Sequence, residues 1–284
     1  SPKANGRSPR CWRNRGFEGM SKFVMIAGTK GGIGKTLIAT FLADIASEHG
    51  FRPVLFDCDN ENHSLSNACG GVPEFELADI DPESAEETDY PLDSAVNRIA
   101  ELESVKERKK EYFYLLDMKA GTSGSTIRWL EAFPFEYMRQ LAVEVYLAGC
   151  VTADIDSCLT WGKWLREYAP LAQTGALRFL LVRNHLAGDR FDFYDDKLRP
   201  LQESRELRSI VIDFPELSGR YLKLIKDYRT SFGQVARKRT TIASFGFMDL
   251  HRIRLSFEKI KTGFDGLFNP GPGKEVTHGR KQEN

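Results

Sequence analysis

Apolar and polar positions fall into two kinds of block along this chain. Residues 22–28 (KFVMIAG) form a short apolar run ending in glycine, whereas 35–49 (KTLIATFLADIASEH) is longer, repeats its apolar positions at helical spacing and stops at Gly50. The first reads as a strand buried on both faces, the second as a helix with a glycine just past its end. The short apolar signature recurs at 52–59, 111–117, 143–151, 177–184 and 208–215. Helices are expected near 153–169, 190–205 and 217–227, with a charged helix over 92–110, while 60–90 is hydrophilic and expected to be irregular. Strands alternating with helices imply right-handed crossovers and a mostly parallel sheet with helices on both faces, a doubly wound α/β fold. No internal repeat interrupts the pattern.

Composition narrows this picture without redirecting it. At 284 residues, 41% hydrophobic and 28% charged, the chain can bury a full core and has the make-up of an ordinary globular protein. One domain over 20–268 is expected. The stretch LAVEVYLAGCVTADI is broken by Glu144 and Asp154, and nothing approaches the roughly 18 apolar residues of a spanning helix, so no transmembrane segment is predicted. Residues 1–19 are basic and turn-rich ahead of Met20 and read as an appended or upstream leader, with an arginine-rich targeting segment as the alternative. Residues 269–284 are almost wholly polar and are expected to be disordered. Five cysteines form no C-x-x-C pair, and neither they nor the five histidines show zinc spacing, which points to a reducing cytoplasm and away from a structural metal. Acids and bases balance at 40 each, but acids dominate 72–111 and bases dominate from Leu217 onward. That asymmetry raises a polyanion partner for the C-terminal third, beside the simpler reading of a solvated face.

Chemistry enters at TKGGIGKT, residues 29–36, between the first strand and the first helix. Glycines there let backbone N–H groups turn toward phosphate oxygens, and the helix start adds its positive dipole end. Lys35 would meet the β- and γ-phosphates, and the Thr36 hydroxyl would ligate magnesium. The general phosphate-loop pattern asks for glycine five positions before Gly34, where this chain has Thr29. KGGIGKT instead resembles the deviant Walker A motif, K-G-G-x-G-K-[ST], of the ParA/MinD family of P-loop ATPases. The resemblance is strong over 20–60, moderate over 111–125 and faint from 140 onward. It implies a nucleotide cradle of Lys30, Gly31, Gly32, Ile33, Gly34, Lys35, Thr36 and Leu37. It also implies an ATP-state homodimer in which Lys30 reaches the phosphates held by the other subunit, which accounts for the second lysine.

Carboxylates complete the expected site. Asp57 and Asp59 lie two apart in LFDCDNENHSLS, so in extended chain they point the same way. The segment resembles the family's D-x-D switch I, which assigns Asp57 to magnesium through water and Asp59 to the attacking water. Asn60-Glu61 stands where relatives often have Pro-Gln. YFYLLDMKAGTSGS ends a strand in Asp117 and resembles Walker B and switch II, placing Asp117 near the magnesium and Gly121 where it senses the γ-phosphate; Met118-Lys119-Ala120 replaces the usual prolines or glycines. Asn184 and Pro215, at late strand ends, match positions from which relatives bind adenine. No N-K-x-D motif for guanine is present, so ATP is expected.

The resemblance implies a dimerising switch that positions or segregates cargo, most often plasmid DNA, with conjugative-transfer and mobilisation ATPases sharing its motifs and a stimulating partner protein expected. The bases Arg237, Lys238, Arg239, Arg252, Arg254, Lys259 and Lys261 would contact DNA phosphates with little sequence preference. A MinD-like membrane factor is the alternative, since 249–268 places Leu250, Ile253, Leu255, Phe257 and Ile260 among bases. A dethiobiotin-synthetase-like ligase is disfavoured by Lys30, and an electron carrier by the absence of cysteine between Gly121 and Arg139. Trp161, Trp164, Leu165 and Tyr168 share a helical face expected to pack on the sheet.

Overall fold

The computed structural model describes residues 20–28, 30–81, 92–105, 111–121, 123–204, 207, 209–237 and 242–269. The expected leader, Thr29, Lys238, Arg239 and residues 270–284 of the expected tail lie outside the described residues. The strands are β1 (Ser21–Ala27), β2 (Arg52–Asp57), β3 (Glu76–Asp79), β4 (Tyr112–Asp117), β5 (Val143–Val151), β6 (Arg178–Asn184) and β7 (Ile210–Phe214). They form one sheet in the order β3-β2-β4-β1-β5-β6-β7, and every pairing is parallel. This is the doubly wound α/β fold of a P-loop NTPase.

Residue alternation along the central strand divides the interior in two. Phe23, Met25 and Ala27 of β1 join one core, and Val24 and Ile26 join the other. The second core is covered by α1 (Lys35–Glu48), α2 (Ser64–Cys69), α8 (Gly219–Asp227), α9 (Phe232–Ala236) and α10 (Phe247–Phe268). The first is covered by α3 (Asp93–Ser104), α4 (Ser123–Glu131), α5 (Phe135–Gln140) and α6 (Ile155–Gln173). Trp161, Trp164, Leu165 and Tyr168 are buried on α6, as their spacing predicts. Because β1 is fully buried between β4 and β5, the loop after it opens at the middle of the sheet's carboxyl edge.

Several elements differ from the pattern-based expectation. The stretch 60–81 is not irregular: it holds α2 and the edge strand β3, while 82–91 lie outside the described residues. A six-residue helix and a four-residue strand are too short to display a period, and β3 exists because its backbone pairs with β2. The same brevity hid α5 and α9. The helix expected over 190–205 is a π-helical turn, Tyr194–Leu198, running into α7 (Arg199–Gln202). Pro200 lacks the N–H that would continue an α-helical ladder across that junction.

Candidate functional site

The phosphate-loop segment turns back from β1 into α1 through two left-handed glycines, Gly32 (φ 74°) and Gly34 (φ 93°). Gly34 precedes α1, and its carbonyl accepts the first helical bond from the Ile38 N–H, at 2.9 Å. A side chain at Gly34 is excluded twice, by φ and because its Cβ would run into Asn184 Nδ2. Lys35 curls over the loop, its Nζ donating to the Lys30 carbonyl at 3.0 Å. Burial lowers the Lys35 pKa, an effect opposed by the nearby Asp117, Cys150 and Asp59. Lys30 does not join it. Its ammonium lies 2.7 Å from Asp154 Oδ2 at the start of α6, where Asp154 also caps the helix by accepting from the Ser157 N–H. Leu37 faces the core, partly buried.

The strand register aligns the acids. Asp57 and Asp117 are direct partners across β2 and β4, and Asp117 is also the partner of Ile26 at the end of β1. Asp57 is held by backbone donors, from Asp59 N at 3.0 Å and Ser66 N at 2.8 Å, the latter in the first turn of α2. Burial pushes Asp117 up to about 7, against a hydrogen bond from the Thr36 hydroxyl that lowers it; Asp57 adds repulsion. One oxygen of Asp117, Oδ1, is buried with no hydrogen-bond partner. A buried carboxylate with an orphan oxygen, beside Thr36 and Asp57, forms a hard-oxygen donor set that suits a divalent cation such as magnesium. Asp59 is partly exposed, and Ser64 and Asn62 donate to it. Burial opposes its charge, but those donors and Lys119 keep its pKa below the usual carboxylate value.

Switch II approaches the loop: a Cβ at Gly31 would lie 3.9 Å from the Ala120 Cβ. Gly121 follows with φ 88°, exposed. Lys119 Nζ meets Glu61 Oε1 at 2.9 Å, so the two segments in which this chain departs from the family pattern touch each other. Asn184, at the end of β6, lies beneath the loop and donates to the Ile33 carbonyl at 2.8 Å. Pro215 follows β7, half-buried. Loop, acids, Asn184 and Pro215 therefore all meet the same carboxyl edge, where open α/β sheets hold ligands.

Other expected groups are placed elsewhere. Arg237 is paired with Asp44 and Glu48, and Lys261 with Glu48, so both serve the packing of α1 against α9 and α10. Ile253, Phe257 and Ile260 of α10 are buried in the core, Leu250 is partly buried, and Leu255 is exposed. The sequence reading missed Asp154, Ser66 and Cys150 as supports of the site. Only Asp154 carried a local signal, an aspartate three residues before Ser157 at a helix start.

Residues 24–270 match the CobQ/CobB/MinD/ParA nucleotide binding domain, CbiA. Among solved structures, the chain is similar to a variant of Cyanothece McdA in complex with ATP, at 16% identity and a TM-score of 0.48, covering 87% of this chain and 96% of that one. It is also similar to an ADP-bound nucleotide-binding protein from Archaeoglobus fulgidus, at 15% identity and a TM-score of 0.44, covering 74% of this chain and 86% of that one. A third is the MinC:MinD cell division protein complex of Aquifex aeolicus, at 15% identity and a TM-score of 0.44, covering 83% of this chain and 95% of that one. No curated protein sequence matches at a significant level. Because the family match begins inside β1 and runs past the end of α10, it takes in the loop, both switch segments and Asn184, and the chain belongs to the CobQ/CobB/MinD/ParA nucleotide-binding family.

Proposed function

We propose that this protein is a slow, magnesium-dependent ATPase that dimerises with ATP bound and uses hydrolysis to reset itself while positioning cargo in the cytoplasm. The observation carrying this reading is Lys30. It sits in the loop with 42% of its side chain exposed, turned away from Lys35 and tethered to Asp154. A lysine so placed is available to a second subunit. Gly31, Gly32, Ile33 and Gly34 contribute backbone to the cradle; Lys35 neutralises β- and γ-oxygens; Thr36, Asp57 and Asp117 would hold magnesium directly or through water. Magnesium, when bound, supplies charge neutralisation on the phosphates. Asp59 is ionised at neutral pH, because its pKa is lowered, and so can accept a hydrogen bond from the attacking water. Gly121, in switch II, would sense the γ-phosphate. Hydrolysis is expected to be slow because the sequence offers no obvious arginine finger in cis, and a partner protein is expected to accelerate it.

The cargo reading is nonspecific DNA, plasmid DNA in particular, held by the exposed bases Arg252 and Lys259 on α10 of both subunits. A membrane reading draws support from a surface that shares only Leu255 with the one read from sequence. Phe247, Met248 and Leu255 are 81%, 51% and 57% exposed on α10, although the helix's main apolar face is buried. Gel filtration with ATP, ADP or no nucleotide, each with and without nonspecific duplex DNA or anionic liposomes, separates these. An ATP-dependent dimer that retains DNA supports the first reading; one that retains liposomes instead moves the cargo to the membrane. A monomer in every nucleotide state would overturn the dimerising switch.

A further inference from the structure

An ion pair joins the two switch segments of this chain. Lys119 Nζ lies 2.9 Å from Glu61 Oε1, with 16% of the lysine side chain exposed against 68% of the glutamate. The lysine is the seated partner, and the glutamate reaches over to it. On one side of Lys119, the Met118 N–H donates to the Ile26 carbonyl near the end of β1, at 3.0 Å. On the other side is Ala120, whose Cβ a side chain at Gly31 would meet at 3.9 Å, and then Gly121 in left-handed backbone at φ 88°. Lys119 therefore stands between a fixed strand end and the segment that lies against the phosphate loop.

Glu61 belongs to a turn that is closed on itself. The His63 N–H donates to the Asp59 carbonyl at 2.7 Å. The Asp59 carboxylate accepts from the Asn62 N–H at 3.3 Å, from Asn62 Nδ2 at 3.2 Å and from the Ser64 hydroxyl at 3.0 Å. Stapled in this way, residues 59–64 carry that carboxylate with them, so a pull on Glu61 is a pull on Asp59. The turn is also held at a cost. Asn60 Oδ1 is buried with no hydrogen-bond partner among the described residues, and His63 keeps a left-handed backbone at φ 46° without being glycine. Both costs favour a turn that shifts when its tether does.

We infer that the Glu61–Lys119 pair is a clasp between switch II and switch I, and that through it Lys119 is a positioning residue for Asp59. A change at the phosphate loop then travels by Ala120, Lys119 and Glu61 to the acid proposed to hold the attacking water. The inference rests on the ATPase reading and adds to it the link by which one switch sets the other.

The test is hydrogen exchange of the full chain, read by mass spectrometry over 58–64 and 118–121 without nucleotide, with MgADP and with a non-hydrolysable MgATP analogue, alongside MgATP turnover. Wild type is compared with Glu61→Gln, Lys119→Gln, Lys119→Arg and the double variant Glu61→Gln/Lys119→Gln. In wild type the ATP analogue is expected to change exchange in both segments relative to MgADP. In Glu61→Gln the response should persist over 118–121 and be lost over 58–64. Its kcat should fall about twofold to fivefold, the range for a partly exposed ion pair, with KM within about twofold of wild type. Glu61→Gln should have no further effect once Lys119 is replaced by glutamine, because the two groups act as one, and Lys119→Arg, which keeps the charge, should behave as wild type. The inference is overturned if 58–64 respond to the analogue equally in wild type and Glu61→Gln, or if Glu61→Gln lowers kcat by the same factor in both lysine backgrounds. Should the Lys119 variants not fold, Glu61→Gln decides by its exchange pattern, since it alters an exposed side chain. A wild type that binds the analogue without a response over 58–64 overturns the inference and leaves the ATPase reading standing, whereas a wild type that binds no nucleotide overturns both.

Discussion

At the residue scale, the proposed mechanism separates groups that bind from groups that time the reaction. Lys35→Ala removes the loop's central cation and is expected to abolish nucleotide binding in equilibrium dialysis. Asp59→Ala leaves the loop and Asp57 intact, so binding should persist while turnover slows by at least about tenfold, the lower range for losing a positioned acid–base group. Unchanged turnover would remove Asp59 from the mechanism. In the proposed dimer, the Lys30–Asp154 pair would hold the second lysine at home until a second subunit competed for it. Asp154→Asn keeps an acceptor for the Ser157 cap but removes the charge, so it should lower the protein concentration at which ATP drives dimerisation. About twofold to fivefold is the range for an exposed ion pair. Light scattering at several concentrations reads this, and an unchanged midpoint would show that the tether carries no weight.

At the element scale, α10 decides between burial and contact. Ile253, Phe257, Ile260, Phe264 and Leu267 lie in the core beneath the sheet, and Phe257 stacks on Phe41 of α1 at 6.0 Å between ring centroids. Phe257→Ala is expected to destabilise the fold by about 3–5 kcal/mol in urea unfolding, through lost transfer energy and an uncollapsed cavity. Leu255→Ala, on the exposed face, should fall within about 0.5 kcal/mol of wild type. Equal effects would mean that the helix is not seated as described. The contrast also explains why the pattern in 249–268 was ambiguous: an amphipathic helix looks the same whether its apolar face meets a bilayer or a sheet.

At the scale of the whole molecule, a buried polar knot joins α1 to α9, nearly 190 residues further along the chain. Asp44 on α1 is fully buried and accepts from the Ser231 hydroxyl at 2.6 Å and the Gly233 N–H at 2.7 Å, with Arg237 beside it at 3.2 Å. Burial outweighs these partners and raises its pKa to about 6. The folded carboxyl therefore titrates above the unfolded one. As pH rises, the unfolded chain ionises first, and the contribution of Asp44 to stability falls between about pH 4 and about pH 6, then levels off. The stability difference between wild type and Asp44→Asn, taken from urea unfolding at about pH 4.5 and about pH 6.5, should shrink at the higher pH; a constant difference would refute the assignment. The knot also withdraws Arg237 from any outward role, so the DNA prediction narrows to the exposed bases. Arg252→Glu with Lys259→Glu should reduce DNA retention by the ATP form and flatten its salt dependence, and retention unchanged in both respects would exclude α10 as the DNA surface.

Much of this protein was legible without its structure, and the division has a physical cause. The strand runs, α1, KGGIGKT and the aspartates at the ends of β2 and β4 are contiguous patterns whose backbone preference and burial are set by near neighbours. The sequence alone determined these, and with them the fold class and the family. Which group each side chain meets was decided by the order β3-β2-β4-β1-β5-β6-β7, which brings residues far apart in the chain to one edge. Asn184, expected near the adenine, is laid by folding under Ile33, 151 residues away, a contact its own neighbours in sequence do not announce. Lys30 and Asp154, Glu61 and Lys119, and Arg237 and Asp44 are pairs of the same kind. So is β3, a strand only because β2 offers it an edge. Local chemistry wrote the parts, and strand order chose their partners, because hydrogen bonds and ion pairs form only between groups that the assembled sheet has already brought within a few ångströms.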